Sequence, residues 1–130
     1  MRDRSTDTLE NMSRVRIAYG PQPQQFGHLY LPDATDPGVP VPVVMVVHGG
    51  FWSGEYHLTL GTPLSLELAA HGVAAWNVEY RRIGAGGRWP EMSADIVAAL
   101  DAVATAVVEQ ARTAGVALDP GRVRVVGHSA

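Results

Sequence analysis

Residues 41–47 form an apolar run without a charged or polar side chain, and this run most constrains how the chain can fold. A strand with one face in water alternates apolar and polar residues, whereas a strand covered on both faces does not. The run Val41–Val47 therefore predicts a strand inside a sheet that has helices on both faces. It ends directly in His48-Gly49-Gly50-Phe51-Trp52, a glycine-rich turn.

Two strands are predicted before this run. Apolar residues alternate over residues 15–19, the sequence Gly20-Pro21-Gln22-Pro23 interrupts the pattern, and residues 26–31 resume it. This pattern predicts a hairpin. The segment 33–40, rich in Pro, Asp and Gly, predicts a surface loop.

A helix is predicted after the turn. Thr62 and Pro63 offer a cap and a first-turn proline, and the helix is expected to run to about His71 with Gly72 as its stop. Residues 73–78 predict the next strand.

A second helix is predicted between Pro90 and Gly115, followed by a final strand over residues 122–126. Its apolar stripe recurs at steps of four and three and comprises Met92, Ile96, Leu100, Val103 and Val107. The order becomes β-β-β-α-β-α-β, an α/β fold with a mostly parallel sheet and helices on both faces.

Composition is that of a globular domain, with 46% hydrophobic and 18% charged residues in 130 positions. We expect a polar N-terminal tail over residues 1–14 and part of a single domain over residues 15–130. A formal net charge of −3 argues against a nucleic-acid partner. The tail lacks the apolar core of a secretory signal, and the apolar runs are too short to span a bilayer. We therefore predict a cytoplasmic protein without a membrane partner.

Metal and cofactor sites are not predicted. The chain has no cysteine, and its five histidines show no metal-ligand spacing. His48 and His128 are expected to orient their turns by hydrogen bonding. The sequence Gly84-Ala85-Gly86-Gly87 lacks the rest of a dinucleotide-binding fingerprint and is interpreted as a loop.

The last four residues, Gly127-His128-Ser129-Ala130, follow the apolar run Val123–Val126. A nucleophilic serine stands on such a strand-to-helix turn in the G-x-S-x-G elbow, where small neighbours fit the strained backbone. The glycine-rich sequence His48–Trp52 could supply the oxyanion donors that such a serine needs. Glycines let backbone N–H groups approach a ligand closely, and such groups can stabilise an oxyanion.

With these two motifs, the chain resembles the α/β-hydrolase-fold serine hydrolases of the His-Gly-Gly-x-Trp type, which include arylformamidases, carboxylesterases and lipase-like enzymes. The segment Asn77–Arg82, followed by Trp89-Pro90, resembles the corresponding link between strand and helix in that family.

The resemblance implies that Ser129 is the nucleophile and that the backbone N–H groups of Ala130 and of Gly50 or Phe51 form the oxyanion hole. Because the triad runs in the order serine, acid, histidine, both partners of Ser129 are expected downstream of Ala130. The chain would then be the N-terminal portion of a longer enzyme, inactive by itself. Glu79 and Asp95 are poor candidates for the triad acid because they precede the serine.

The implied activity is hydrolysis of a small carboxylic ester or an aryl formamide through an acyl-enzyme, with no cofactor. The alternative is a non-catalytic α/β fragment or binding module with a degenerate elbow. Trp52 either lines the substrate pocket or packs its loop. For the segment Tyr80–Arg82, a structural role is favoured over contact with an anionic substrate.

Overall fold

The computed structural model describes residues 14–33, 36, 38–49, 58–82 and 89–127. Its strands are β1 (Arg14–Ala18), β2 (Phe26–Tyr30), β3 (Val41–Val47), β4 (Ala74–Val78) and β5 (Leu118–Gly127). Its α-helices are α1 (Thr62–Ala70), α2 (Glu91–Asp101) and α3 (Ala106–Thr113), and short 3₁₀ turns span Leu58–Gly61 and Ala102–Ala104.

The strands form one five-stranded sheet in the order β1-β2-β4-β3-β5. The predicted hairpin is present, because β1 and β2 pair antiparallel. β2 also pairs antiparallel with β4, whereas β3 pairs in parallel with β4 on one side and β5 on the other. The apolar run 41–47 is therefore an interior strand, as its lack of alternation predicted.

Successive residues of β4 contact helices on opposite faces of the sheet. Trp76 belongs to the larger core cluster with α2 and α3, and its indole N–H donates to the Ala99 carbonyl at 2.9 Å. Ala75 instead joins a smaller cluster with Tyr30 and Ala69 of α1. The prediction of helices on both faces is confirmed.

The helix boundaries follow the predicted glycine signals. Helix α1 begins at Thr62 with Pro63 in its first turn, although its N-cap is Gly61 and no side chain caps it. Thr62 is therefore the first helical residue and not the cap. Gly72 after α1 and Gly115 after α3 have φ values of +82° and +86°, a backbone conformation that glycine adopts without strain.

The prediction of one continuous second helix between Pro90 and Gly115 is wrong, because the structure has two helices there, α2 and α3. The helix breaks after Asp101, where a 3₁₀ turn leads to Thr105 with φ −124° and ψ −92°. The Thr105 backbone N–H and hydroxyl both donate to the Ala102 carbonyl, at 3.2 and 3.4 Å, in place of a continued helical ladder. Leu100 of the predicted stripe is 38% exposed, and the buried residues of α2 are Met92, Asp95 and Ala99.

The last strand is longer than predicted, because it begins at Leu118 and not near Arg122. Its register shifts against β3 between Val41 and Val43. The Asp119 carboxylate accepts hydrogen bonds from the Gly121 N–H and from Arg122 Nε, both at 2.9 Å, which closes a local turn inside the strand. Periodicity alone does not reveal this turn.

β1 begins at Arg14, and residues 1–13 of the predicted tail lie outside the described part of the chain. The longest described helix, α2, has 11 residues. None of the helices among the described residues is long and apolar enough to cross a membrane.

We expect the 130-residue chain by itself to self-associate. Within the described residues β5 is paired only with β3, and Val125 and Val126 on it are 50% and 40% exposed. Unpaired apolar strands template association. Size-exclusion chromatography with light scattering should show oligomers or aggregates. A monodisperse monomer with one sharp thermal transition would contradict this expectation.

Candidate active site

The two predicted active-site turns leave the sheet at the same edge. β3 and β5 are parallel neighbours, and their last residues, Val47 and Gly127, are register partners. The chain then continues from Val47 into His48-Gly49 and from Gly127 toward Ser129. The carboxyl ends of parallel strands are where α/β folds place ligands. The described part of the chain therefore brings together the beginnings of both turns.

A cavity of about 320 Å³ lies between these two strand ends and the start of α1. The residues around it include His48, Gly61, Pro63, Leu64 and Gly127. A second cavity, of about 250 Å³, lies at the start of α2. Its apolar lining includes Val47, Tyr80, Trp89, Met92 and Ile96.

The predicted functional residues themselves fall outside the described residues. This holds for the nucleophile and its neighbours in the elbow, for the oxyanion turn, and for the aromatic pocket candidate. They are Ser129, Ala130, Gly50, Phe51 and Trp52. The predicted loop Gly84–Gly87 and His128 also lie outside the described part of the chain.

His48 is buried, with 2% of its surface exposed, and both its ring nitrogens contact acceptors. Nδ1 lies 2.9 Å from the Gly49 carbonyl oxygen, and Nε2 lies 2.7 Å from Oε1 of Glu79. Its ring also stacks on Tyr80, with ring centroids 4.6 Å apart. Nε2 contacts the buried Glu79 carboxylate and Nδ1 faces the Gly49 carbonyl, so the His48 ring orients its turn, as predicted.

Glu79 is 3% exposed and collects several donors besides His48. The backbone N–H of Leu58 donates to Oε2 at 3.1 Å, that of Tyr80 donates to Oε1 at 3.2 Å, and Arg82 Nε lies 3.5 Å from Oε1. Burial raises the pKa of this carboxyl, but the His48 hydrogen bond, the Leu58 N–H and the Arg82 charge outweigh burial and lower it. Glu79 is therefore a buried, ionised acceptor.

Tyr80 also holds the start of the turn that follows β3. Its hydroxyl donates to the His48 carbonyl oxygen at 2.7 Å. Burial, together with the negative charge of Glu79, raises the pKa of Tyr80 and keeps the hydroxyl proton in place. The backbone and the ring of His48 are thus held by adjacent residues at the end of β4.

Asp95 forms a second buried carboxylate site on α2, separate from His48. Arg81 Nε and Nη2 donate to its two oxygens at 2.9 Å each, the Arg81 backbone N–H donates at 2.9 Å, and Gln25 Nε2 donates at 2.8 Å. Burial raises the pKa of Asp95, but these hydrogen bonds lower it overall. The favoured structural role of Arg81 is confirmed by this pairing, which also occupies both oxygens of Asp95.

The contact between Glu79 and His48 is not evident from the sequence. On the sequence alone, Glu79 is a candidate only for the triad acid, and chain order argues against that role. Its partner is 31 positions away, and the contact depends on β4 lying beside β3. The only sequence signal is the position of each residue directly after a buried strand.

No three or more His, Cys, Asp or Glu side chains among the described residues are grouped so that they could hold a metal ion. The buried carboxylates are paired with His48 and with arginines. Among the described residues, Glu79 and Asp95 are therefore engaged in hydrogen bonds and ion pairs with protein groups.

No protein-family model and no curated protein matches the chain. Solved structures do match. A protein of Silicibacter sp. TM1040, named provisionally as a thioesterase, superposes with a TM-score of 0.69 at 23% identity, over 96% of this chain and 41% of its own. A bacterial heroin esterase superposes with a TM-score of 0.68 at 27% identity, over 94% of this chain and 38% of its own. A thermophilic esterase of Thermogutta terrifontis superposes with a TM-score of 0.70 at 17% identity, over 92% of this chain and 44% of its own.

The chain thus has a mixed α/β fold that matches part of the α/β-hydrolase fold of esterases, as the sequence predicted. It spans about two fifths of the length of these solved structures.

In the full-length protein, we expect Asp95→Asn to lower the free energy of unfolding by about 1.5–3 kcal/mol near neutral pH, because it weakens charge-assisted hydrogen bonds between the buried carboxylate and the partly exposed Arg81. The folded-state pKa of Asp95 is lowered, so its contribution is present above the unfolded pKa of about 3.9 and is lost as pH falls below it. Denaturant unfolding at about pH 7 and at about pH 3 should show the difference from wild type shrinking.

Glu109→Gln is the control for this measurement. It removes an even shorter ion pair with Arg112, at 2.6 Å, but both side chains are more than half exposed, so the free energy of unfolding should barely change. A penalty for Asp95→Asn that is the same at both pH values would contradict the assignment of Asp95 as an ionised, buried partner.

Proposed function

We propose that this chain is the nucleophile-bearing portion of a serine hydrolase that cleaves a small carboxylic ester or an aryl formamide. Ser129 is the nucleophile in this proposal. The backbone N–H groups of Ala130 and of Gly50 or Phe51 stabilise the oxyanion. The triad acid and histidine come from sequence downstream of Ala130, so the chain alone is expected to lack turnover.

The register pair Val47–Gly127 is the observation that carries the proposal. Acyl transfer needs a nucleophile and oxyanion donors around one carbonyl group, within about 3 Å of it. Ser129 follows Gly127 by two positions, and Gly50 follows Val47 by three. Parallel pairing with these two strand ends side by side supports a common site for both motifs.

The solved structures that match the fold support the reaction class. The heroin esterase and the T. terrifontis esterase are named for ester hydrolysis. The T. terrifontis enzyme is also known in a form phosphorylated by paraoxon. We infer that the present protein acts on a carbonyl ester or amide by the same kind of covalent chemistry.

In the proposed reaction, Ser129 Oγ attacks the carbonyl carbon and its proton passes to the downstream base. The tetrahedral oxyanion collapses, and the alcohol or arylamine leaves with a proton. Water then adds to the acyl-enzyme, and the carboxylic acid, or formic acid from a formamide, departs as Ser129 regains its proton. No step uses a cofactor.

The described residues support a small, partly apolar substrate. The cavity of about 320 Å³ beside His48 and Gly127 is at the low end of the size range of small-molecule sites. Trp52 is proposed to line the pocket for the acyl or leaving group.

A cytoplasmic location stays a prediction from the sequence.

Paraoxon labelling tests the nucleophile. In the full-length protein, paraoxon should place one diethylphosphoryl group on Ser129, located by peptide mass spectrometry. Ser129→Ala should abolish both the labelling and the turnover of p-nitrophenyl acetate while substrate binding is retained, because the hydroxyl supplies chemistry and little contact area. Label on another residue, or turnover that survives in Ser129→Ala, would overturn Ser129 as the nucleophile, whereas a wild-type protein with neither label nor turnover would favour the non-catalytic alternative.

Gly50→Val tests the oxyanion donors. The added branched side chain should displace the N–H groups of Gly50 and Phe51 and cost at least about 2.7 kcal/mol of transition-state stabilisation, the scale of one lost donor. The loss belongs in kcat, because the charge develops only after attack. Steady-state kinetics that show an unchanged kcat and a raised KM would make the segment 48–52 a binding loop and remove the oxyanion assignment.

A further inference from the structure

Glu79 contacts both sides of the segment that carries the proposed oxyanion donors. Its Oε1 lies 2.7 Å from Nε2 of His48, which precedes residues 50–57. Its Oε2 accepts a hydrogen bond from the backbone N–H of Leu58, which follows them, at 3.1 Å. One buried carboxylate therefore joins the residue where the segment begins to the residue where it ends.

Two neighbours of Glu79 at the end of β4 hold the same two points. Asn77 Nδ2 donates to the Leu58 carbonyl oxygen at 2.9 Å, and the Tyr80 hydroxyl donates to the His48 carbonyl oxygen at 2.7 Å. All of these contacts are buried. The end of β4 thus fixes the spacing between His48 and Leu58.

Stability alone does not explain an ionised group at this position. A buried ion pair is on average no more stabilising than well-packed apolar residues, whereas it does specify one arrangement of its partners. Glu79 contacts His48 Nε2 through one oxygen and accepts from the Leu58 N–H through the other, and Arg82 Nε lies 3.5 Å away as an ion-pair partner. A carboxylate has an acceptor oxygen for each of the first two contacts, so it can hold both at once.

We propose that Glu79 is a positioning residue for the oxyanion donors: it holds His48 and Leu58 so that the N–H groups between them meet the substrate oxygen. The inference rests on the proposed serine hydrolase function. Glu79 takes no part in proton transfer. Its effect matters because a misplacement of about 1 Å in a catalytic group can cost about 10²-fold in rate.

Glu79→Leu in the full-length protein is the test. Leucine fills similar space but has no polar atom, so it can hold neither His48 Nε2 nor the Leu58 N–H. We expect kcat for p-nitrophenyl acetate to fall about 10²-fold, with KM within about threefold of wild type. A trifluoromethyl ketone, which forms a tetrahedral adduct with the serine, should lose affinity by a factor similar to the loss in kcat.

Asp95→Asn is the matched control. It also neutralises a buried carboxylate that is paired with an arginine, but Asp95 does not contact His48 or Leu58. It should reduce thermal stability and leave kcat within about twofold of wild type when assayed well below its melting temperature. This comparison separates positioning from general destabilisation.

His48→Gln should lower kcat in the same way, and the double variant with Glu79→Leu should lose no more than the larger single loss, because both changes break the contact between Glu79 and His48. Glu79→Asp keeps the charge but shortens the reach by one methylene. It should also show a loss confined to kcat, and it replaces Glu79→Leu if that protein does not fold.

A folded Glu79 variant with kcat within about threefold of wild type, or an equal kcat loss in Asp95→Asn, would overturn the positioning role. Such results in an enzyme whose turnover depends on Ser129 would leave the proposed function intact. Absence of Ser129-dependent turnover in the wild type would instead overturn the proposed function, and the positioning role with it.

Discussion

The parallel pairing of β3 with its two neighbours is the constraint on which the rest of the structure depends. β3 is hydrogen-bonded to β4 on one side and β5 on the other, and all three strands end at one edge of the sheet. That pairing places the last residues of β3 and β5, Val47 and Gly127, side by side, and it places the end of β4 next to β3. Because the run 41–47 carries no polar side chain, its burial under helices on both faces fixes this arrangement.

The buried polar groups at this edge follow from the same arrangement. Residues at the ends of interior strands leave the apolar core while still shielded from water, so an ionised side chain there requires donors. Glu79, just after β4, finds them in His48 and Leu58, whereas Asp95 lies on α2 and accepts from Arg81, which also follows β4, and from Gln25. The second network ties α2 to the loop of the hairpin formed by β1 and β2. The first ties the two sides of the proposed oxyanion segment together, which links the packing of the sheet to the proposed chemistry.

Local sequence patterns were enough to predict the hairpin, the strand 41–47, the helix that begins at Thr62, and the placement of helices on both faces of the sheet. These features depend on periodicity and turn residues within a few positions. The break at Thr105 and the turn at Asp119 were missed because each depends on a side-chain hydrogen bond that competes with a regular pattern. At the site, the strand ends and the orienting role of His48 could be predicted. The bond between Glu79 and His48 could not, since it depends on strand order. The roles of Ser129, Gly50, Phe51 and Ala130 stay predictions.

The most direct test of the shared site is a crystal structure of the full-length protein after reaction with paraoxon. We expect phosphorus bonded to Ser129 Oγ, with the phosphoryl oxygen about 2.7–3.1 Å from the backbone nitrogens of Ala130 and of Gly50 or Phe51. We also expect Glu79 in contact with both His48 and Leu58. A phosphoryl oxygen that faces solvent, or an adduct on a residue remote from the ends of β3 and β5, would contradict the claim that the two turns form one active site.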